Sequence, residues 1–464
     1  MSTPEGQPQP ARGALASLAL CMLLPSLATS IANVALPTLG ESLGASFQQL
    51  QWVVLAYLLA TTSVVVGAGR LADQFGRWRL LLGGVAVFTA ASLLCGLAGG
   101  LGMLVAARVA QGVGAAVMMA LPLAMVGELV PRQQAGRAMG LLGTTSAIGT
   151  ALGPSLGGAL TAAFGWHAIF IAQVPLGLLA LLMLRRWLPA DRRPGPSPRA
   201  AFDLQGMLLL AFSTACYALA LTHRHNVASG LLLVAAALGG WLFFLVQART
   251  PAPLVPWADL QAPGLARSLA LNALASMVVM ATLVLGPFHL ARGLGLATAL
   301  VGLVMSTGPA VAALAGVPAG RWVDRFGAAR AAWAGLAGMA LGSLGLALLP
   351  PSLGIAGYAA PLAGLTAGYA LFQAANNSAA LAAAPAGGRG VVAGLLTLSR
   401  NLGLVSGAAL MGALFAHAAG DPGTASLPAV AAGMRVAFGT AAALLMLALV
   451  LARSGRTTLA RAAQ

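Results

Sequence analysis

GRLADQFGRWR, residues 69–79, and GRWVDRFGAAR, residues 320–330, are nearly one phrase written twice. Gly69 and Gly320, Arg70 and Arg321, Asp73 and Asp324, Phe75 and Phe326, Gly76 and Gly327, and Arg79 and Arg330 agree at a constant offset of 251. The chain has only nine acidic residues in 464. Two of them at the same point of a repeated, arginine-rich phrase mark an internal duplication.

Composition says what is duplicated. The chain is 59% hydrophobic and 7% charged, with mean hydropathy +0.89, whereas a soluble globular protein is about 25% charged. This is the composition of a polytopic membrane protein, and it excludes a large soluble core. All 25 basic residues are arginine, and the net charge is +16. Such a balance could point to nucleic acid, but the arginines sit in short segments between apolar runs. There they orient helices by the positive-inside rule. Cys21, Cys95 and Cys216 each lie in an apolar stretch, with no metal or disulfide spacing. They read as small buried apolar residues. The first apolar run, preceded by Arg12, is span-length and followed by many more. It reads as an uncleaved first helix rather than a signal peptide.

Apolar segments of about twenty residues can each cross a bilayer as a helix. They fall at about 14–36, 50–69, 80–99, 103–127, 136–160, 167–188, 204–222, 228–248, 268–290, 298–319, 331–349, 354–382, 391–416 and 432–452, fourteen in all. With the N-terminus in the cytoplasm, 20 of the 25 arginines fall on the cytoplasmic side. Arg224, Arg292 and Arg435 fall outside, and Arg108 and Arg400 lie within spans. That asymmetry supports an even number of spans with both termini cytoplasmic.

The repeated phrase follows the second span and the tenth. Spans 1–6 and 9–14 are therefore two six-helix units in the same orientation, with spans 7 and 8 inserted between them. The expected division is 1–188 for the first bundle, 189–266 for the linker and inserted helices, and 267–464 for the second bundle. Parallel repeats of this kind are a transporter architecture, with a midplane site between the halves. The Pro- and Arg-rich stretch LRRWLPADRRPGPSPRA (184–200) reads as an extended, solvated linker.

Four local motifs, with the span count, make the chain resemble transporters of the major facilitator superfamily, in its fourteen-helix drug–proton antiporter branch. The duplicated phrase resembles the family's loop between helices 2 and 3. The resemblance implies a cytoplasmic gate at Gly69, Asp73, Gly76 and Arg77, repeated at Gly320, Asp324 and Gly327. The glycines would permit tight turns and close helix contact, and the aspartates would accept charge-assisted hydrogen bonds in one transport state. The plainer reading is a turn that fixes topology; the duplication favours the gate. LVAARVAQGVGAA (104–116) is similar to the fourth-helix motif. Arg108 and Gln111, at i and i+3, share a face. An arginine inside a membrane is costly and usually functional, either on the transport route or as a strut bonded to carbonyls of the first helix. GLLGTTSAIGTALGPSLGG (140–158) matches the fifth-helix antiporter signature, with Gly149, Gly153, Pro154, Gly157 and Gly158 forming a close-packing, bendable helix. Gly403 and Gly407 keep part of this spacing in the second half without the proline.

PSLATSIANVALPTLG (25–40) resembles the first-helix motif through Ile31, Asn33, Ala35, Leu36 and Pro37. Where the family has an aspartate, this chain has Ala28. Every acid maps to a loop or a span end, so the cavity is expected to hold positive charge only, at Arg108 and Arg400. This disfavours polycationic substrates. The expected substrate and proton pathway comprises Asn33, Arg108, Gln111, Gln373, Asn376, Asn377 and Arg400. For any single asparagine, a hydrogen bond between helices is as good a reading.

The resemblance implies a secondary exporter of small amphiphilic compounds in the inner membrane, alternating access by proton antiport. The competing reading is a metabolite or organic-anion exporter, or a facilitator, without tight proton coupling. An enzyme is not expected: no metal cluster, nucleophile–base arrangement or phosphate-binding Gly-Lys-Ser/Thr loop is present in the sequence. No cofactor, metal or nucleic-acid partner is expected. The expected partners are a small-molecule substrate, protons and the lipid bilayer, with a monomer as the working unit and envelope proteins as its possible company.

Overall fold

A computed structural model describes residues 9–129, 132–188, 203–222, 227–250, 264–382, 389–420 and 426–461. All regular elements among them are helical, as lipid requires, because a helix satisfies its backbone polar groups within one segment. In chain order they are α1 (Gln9–Val34), α2 (Leu36–Leu43), α3 (Phe47–Phe75), α4 (Arg77–Gly96), α5 (Leu101–Leu129), α6 (Arg132–Phe164), α7 (Ala168–Ile171), α8 (Gln173–Trp187), α9 (Leu204–Thr222) and α10 (Val227–Arg249). Then come α11 (Leu265–Phe288), α12 (Thr298–Met305), α13 (Thr307–Phe326), α14 (Ala328–Leu348), α15 (Gly354–Ala382), α16 (Arg389–Ser406), α17 (Gly412–Ala419) and α18 (Leu427–Arg461).

Thirteen helical segments among the described residues are long and apolar enough to cross a membrane. They coincide with thirteen of the fourteen expected spans. The remaining one, 50–69, lies inside α3, a helix of 29 residues. The fifth span is longer than its apolar run, extending over Arg132–Phe164. The tenth is divided at Ser306 into α12 and α13. Pro309 explains that break, because it has no N–H to bond the carbonyl one turn back. The thirteenth span contains a π-helical turn, Gly407–Met411, between α16 and α17. Hydropathy gave no sign of it.

The duplication is visible in the backbone. Gly76 ends α3 at φ 89° and Gly327 ends α13 at φ 81°, 251 residues later. At the same offset, Gly44 has φ 60° and Gly295 has φ 66°. These are left-handed positions where a Cβ is penalised, so glycine is needed at each. Packing repeats as well. Within the first unit α1 packs on α5, α6 and α8, α3 on α5, and α4 on α5 and α8. The second unit makes the corresponding contacts: α11 on α15, α16 and α18, α13 on α15, and α14 on α15 and α18. The inserted helices α9 and α10 pack on each other, and α9 lies against α3.

Two of the expected gate glycines differ from expectation. A Cβ at Gly69 or Gly320 would meet nothing within 4 Å, and neither has positive φ. They serve neither a turn nor a close contact in this conformation, because the face of α3 and of α13 on which they stand is not the packed one, which Ala68, Ala72, Ala319 and Val323 fill. The side chains of Asp73 and Glu128, and linker residues 189–202, lie outside the described residues. Asp324 is described and exposed. Arg77 reaches across to α5, where Nη1 donates to Ala124 O at 3.5 Å.

Candidate functional site

A cavity of about 150 Å³ lies between the two units. Its wall takes Ser26, Thr29 and Ser30 from α1, Met119 from α5, Thr150 from α6, Thr282 from α11, Met305 from α12, Pro309 from α13, Tyr369 from α15 and Arg400 from α16. Serine and threonine recur there because they suit a helix in lipid: each gives its proton to a carbonyl of its own helix. Thr29 donates to Pro25 O at 2.8 Å, Thr150 to Ser146 O at 3.2 Å and Thr366 to Leu362 O at 2.8 Å. The hydroxyl oxygens are left as acceptors. Arg400 is the one charged side chain in the wall among the described residues.

The two units are packed together at the end opposite the arginine-rich phrases. Phe47 of α3 sits edge-on to Phe288, with centroids 4.8 Å apart, and 5.7 Å from Phe415. Arg292 pairs with Glu41. Gln51 of α3, buried, donates through Nε2 to Ala408 O at 2.8 Å. That acceptor belongs to the π-turn, where the helical ladder shifts register. On the other side of the cavity, α6 meets α12 closely enough that a Cβ at Gly158 would stand 2.9 Å from Gly302 Cα.

The fifth-span glycines divide their contacts between two helices. A Cβ at Gly149 would lie 2.5 Å from Leu23 O, and at Gly157 it would lie 2.9 Å from Ile31 O, while at Gly153 it would collide with Ser30 Oγ; all three belong to α1. Gly158, and the carbonyl of Pro154 behind it, face Gly302 of α12. Gly403 and Gly407 repeat the first contact in the second unit, against Ala273 and Met277 of α11.

Arg108 differs from expectation. It is fully buried and does not line the cavity. Nε donates to Val53 O of α3 at 2.8 Å, and Nη1 donates to Gln111 Oε1 at 2.6 Å and to Ala28 O at 3.4 Å. The ring of Tyr57 lies 4.2 Å beneath the guanidinium, and Tyr57 Oη donates to Pro25 O at 2.9 Å. Gln111 continues the network to Ser92 Oγ at 2.8 Å and Gln173 Oε1 at 3.3 Å. The physical reason is the acceptor supply: carbonyls of α1 and α3 and the Gln111 side chain of α5 converge there and take up Nε and Nη1, while Nη2 is buried without a partner. Ala28 is likewise fully buried and absent from the cavity wall, which α1 builds from Ser26, Thr29 and Ser30.

The remaining pathway residues separate. Asn33 is buried and donates to Thr29 O at 2.9 Å, leaving Oδ1 without a partner. Asn376 ties α15 to α11, its Oδ1 accepting from Ser268 Oγ at 2.7 Å. Asn377 is exposed and outside the cavity wall. Gln373 reaches the cavity indirectly, donating to Tyr369 Oη at 2.7 Å. Sequence reasoning missed Gln51, Tyr57, Gln173 and Tyr369. A usable signal existed: Tyr57 and Tyr369 are two of only four tyrosines, and Gln173 interrupts an apolar run.

The sequence profile of the Major Facilitator Superfamily matches residues 18–408. The chain belongs to the major facilitator superfamily. Within this superfamily it is 34% identical over 428 residues to the uncharacterized transporter YebQ of Escherichia coli, covering 90% of this chain and 92% of that one. It is 30% identical over 399 residues to the riboflavin transporter RibZ of Clostridioides difficile, covering 85% and 86%. It is 31% identical over 421 residues to the multidrug efflux pump LfrA of Mycolicibacterium smegmatis, covering 89% and 83%. A major facilitator chain of this kind is a membrane transporter of small molecules and not an enzyme. The cavity between its two repeats is the candidate site.

Proposed function

We propose that the protein is a secondary active exporter of small amphiphilic compounds, driven by proton antiport and working by alternating access. The observation that carries this reading is the cavity enclosed between two repeated units and sealed at one end. A midplane site between parallel repeats that rock against each other is how such transporters operate. The likeness to a multidrug efflux pump supports export, and so does the fifth-helix signature at Gly149, Gly153, Pro154, Gly157 and Gly158. The proposal includes fourteen spans in the inner membrane, both termini cytoplasmic, a division at 1–188, 189–266 and 267–464, and a monomeric unit. On this orientation the sealed end is the outer one. Asp73, Arg77 and Asp324, with Gly69, Gly76, Gly320 and Gly327, form the cytoplasmic gate of the opposite state.

A second reading is export without tight proton coupling. It is favoured by one observation: among the described residues, no carboxylate lines the cavity. Two measurements test both. A drug-hypersensitive host carrying the gene should grow at higher concentrations of some amphiphilic compounds than one without it. Proteoliposomes should then accumulate those compounds several-fold faster under an imposed pH gradient. Flux indifferent to the gradient would sink proton antiport, and no protection across a broad panel would sink export of toxic compounds.

A further inference from the structure

Building on the export reading, we propose that the cavity selects amphiphilic organic monoanions, and that Arg400 receives the anionic group. Arg400 stands eleven residues along α16 from Arg389, roughly 17 Å into the bundle. It is exposed to the cavity and forms no hydrogen bond or ion pair with any described residue. An arginine held inside a membrane without a counter-charge is costly and marks an ion or substrate route. The contrast with Arg108 is direct. That guanidinium is also intramembrane, but its donors go to Val53 O, Gln111 and Ala28 O. Arg400 has its five-donor fork available, and this geometry matches a carboxylate in bidentate fashion.

The rest of the wall agrees. Tyr369 Oη accepts from Gln373 at 2.7 Å and has Ser276 Oγ at 3.5 Å, so it can give its proton to a ligand when the serine acts as the donor of that longer pair. The hydroxyls of Thr29, Thr150 and Thr366 donate within their helices. They offer acceptor oxygens to N–H or O–H groups on the body of the substrate. Met119, Met280 and Met305 supply adaptable apolar surface. The volume, about 150 Å³, is of the order that takes up a benzene-sized ring. A cation in this space would stand beside Arg400 with no carboxylate among the described wall residues, and like charges in a low-dielectric cavity repel strongly.

Three matched radiolabelled one-ring probes test the proposal: phenylacetate, its neutral amide, and benzyltrimethylammonium. Binding is measured on the full-length protein in nanodiscs, and flux in proteoliposomes, for wild type, Arg400→Gln and Arg400→Lys. Wild type should bind the anion about tenfold or more tightly than either other probe. Arg400→Gln should bring the anion-to-amide ratio within about twofold, and Arg400→Lys should retain part of the preference. The ratio is internal to each variant, and the lysine variant keeps the charge should the glutamine variant fold poorly. Equal affinity for all three probes in wild type, a preference unchanged in Arg400→Gln, or no binding of any probe would each overturn the proposal. Arg400-dependent binding without flux in either direction would support the anion site and overturn the export reading instead.

Discussion

Arg108 commits Nε and Nη1 to helix carbonyls and a glutamine rather than to a ligand. Nε and Nη1 hold carbonyls on α3 and α1, and Gln111 hands the network on to α4 and α8. The residue is a strut joining the helices of the first unit. Each buried acceptor left unsatisfied costs about 1–3 kcal/mol. Arg108→Ala, which leaves Gln111 Oε1 without its donor and empties a fully buried site against Tyr57, should destabilise the protein by roughly 3 kcal/mol. The readout is a lower melting temperature in detergent, with loss of transport following from it. Arg108→Lys should recover only part, because an ammonium lacks the planar fork. Unchanged melting together with abolished transport would reverse the assignment and return Arg108 to the transport route. The sequence shows an arginine inside a span with Gln111 on its face. It does not show which way that face turns. That depends on how α1, α3 and α5 meet, and hydropathy carries no information about azimuth once every neighbour is apolar.

At the level of elements, α6 carries a sharper experiment, because two of its glycines differ only in what stands opposite them. A Cβ at Gly149 would press on the backbone of α1 at Leu23, whereas a Cβ at Gly143 would meet nothing within 4 Å. Gly149→Ala should therefore separate α1 from α6, costing about 1–3 kcal/mol as overpacking does, and should impair transport. Gly143→Ala should be neutral or stabilising by up to about 1 kcal/mol through helix propensity. Equal melting temperatures and equal transport in the two variants would mean that the glycine ladder is not a packing surface. The ladder itself was legible, since glycines four apart align on one helical face. Its counterpart in α16 was half legible: Gly403 and Gly407 stand out, but the π-turn at Gly407–Met411 does not. Pro154 stands inside the continuous α6 of the first unit, whereas in the second unit the ladder shifts at Gly407–Met411, where Gln51 of α3 takes up the carbonyl of Ala408.

On the scale of the whole molecule, the offset of 251 read from the repeated phrase reappears where the two units touch. Glu41 and Arg292 are 251 residues apart and form an ion pair. In a two-fold arrangement, equivalent positions can meet only near the axis, so this pair lies close to the axis relating the repeats and bridges them at the sealed end. The duplication was legible from six matched residues, whereas the sealed end was not, because a charge on α2 and one in the π-helical turn His289–Gly293 give no sign of meeting. The Arg292 and Glu41 side chains are 36% and 60% exposed, and exposed pairs contribute only about 0.2–1 kcal/mol, less at high salt. Breaking the pair should shift the balance between sealed and open states by no more than about fivefold. Leu50, buried at this end, supplies the reporter. In a Leu50→Cys background, Glu41→Arg places two cations together and should speed labelling by a polar thiol reagent up to about fivefold at low salt. Arg292→Glu should do the same with two anions. The double exchange restores opposite charges at the same place and should return labelling towards the parental rate, with the differences shrinking as salt rises. If the double exchange labels as fast as the single ones, the pair does not hold the seal, and the closure rests on contacts such as those of Phe47 and Gln51 and that of Gly158 with Gly302.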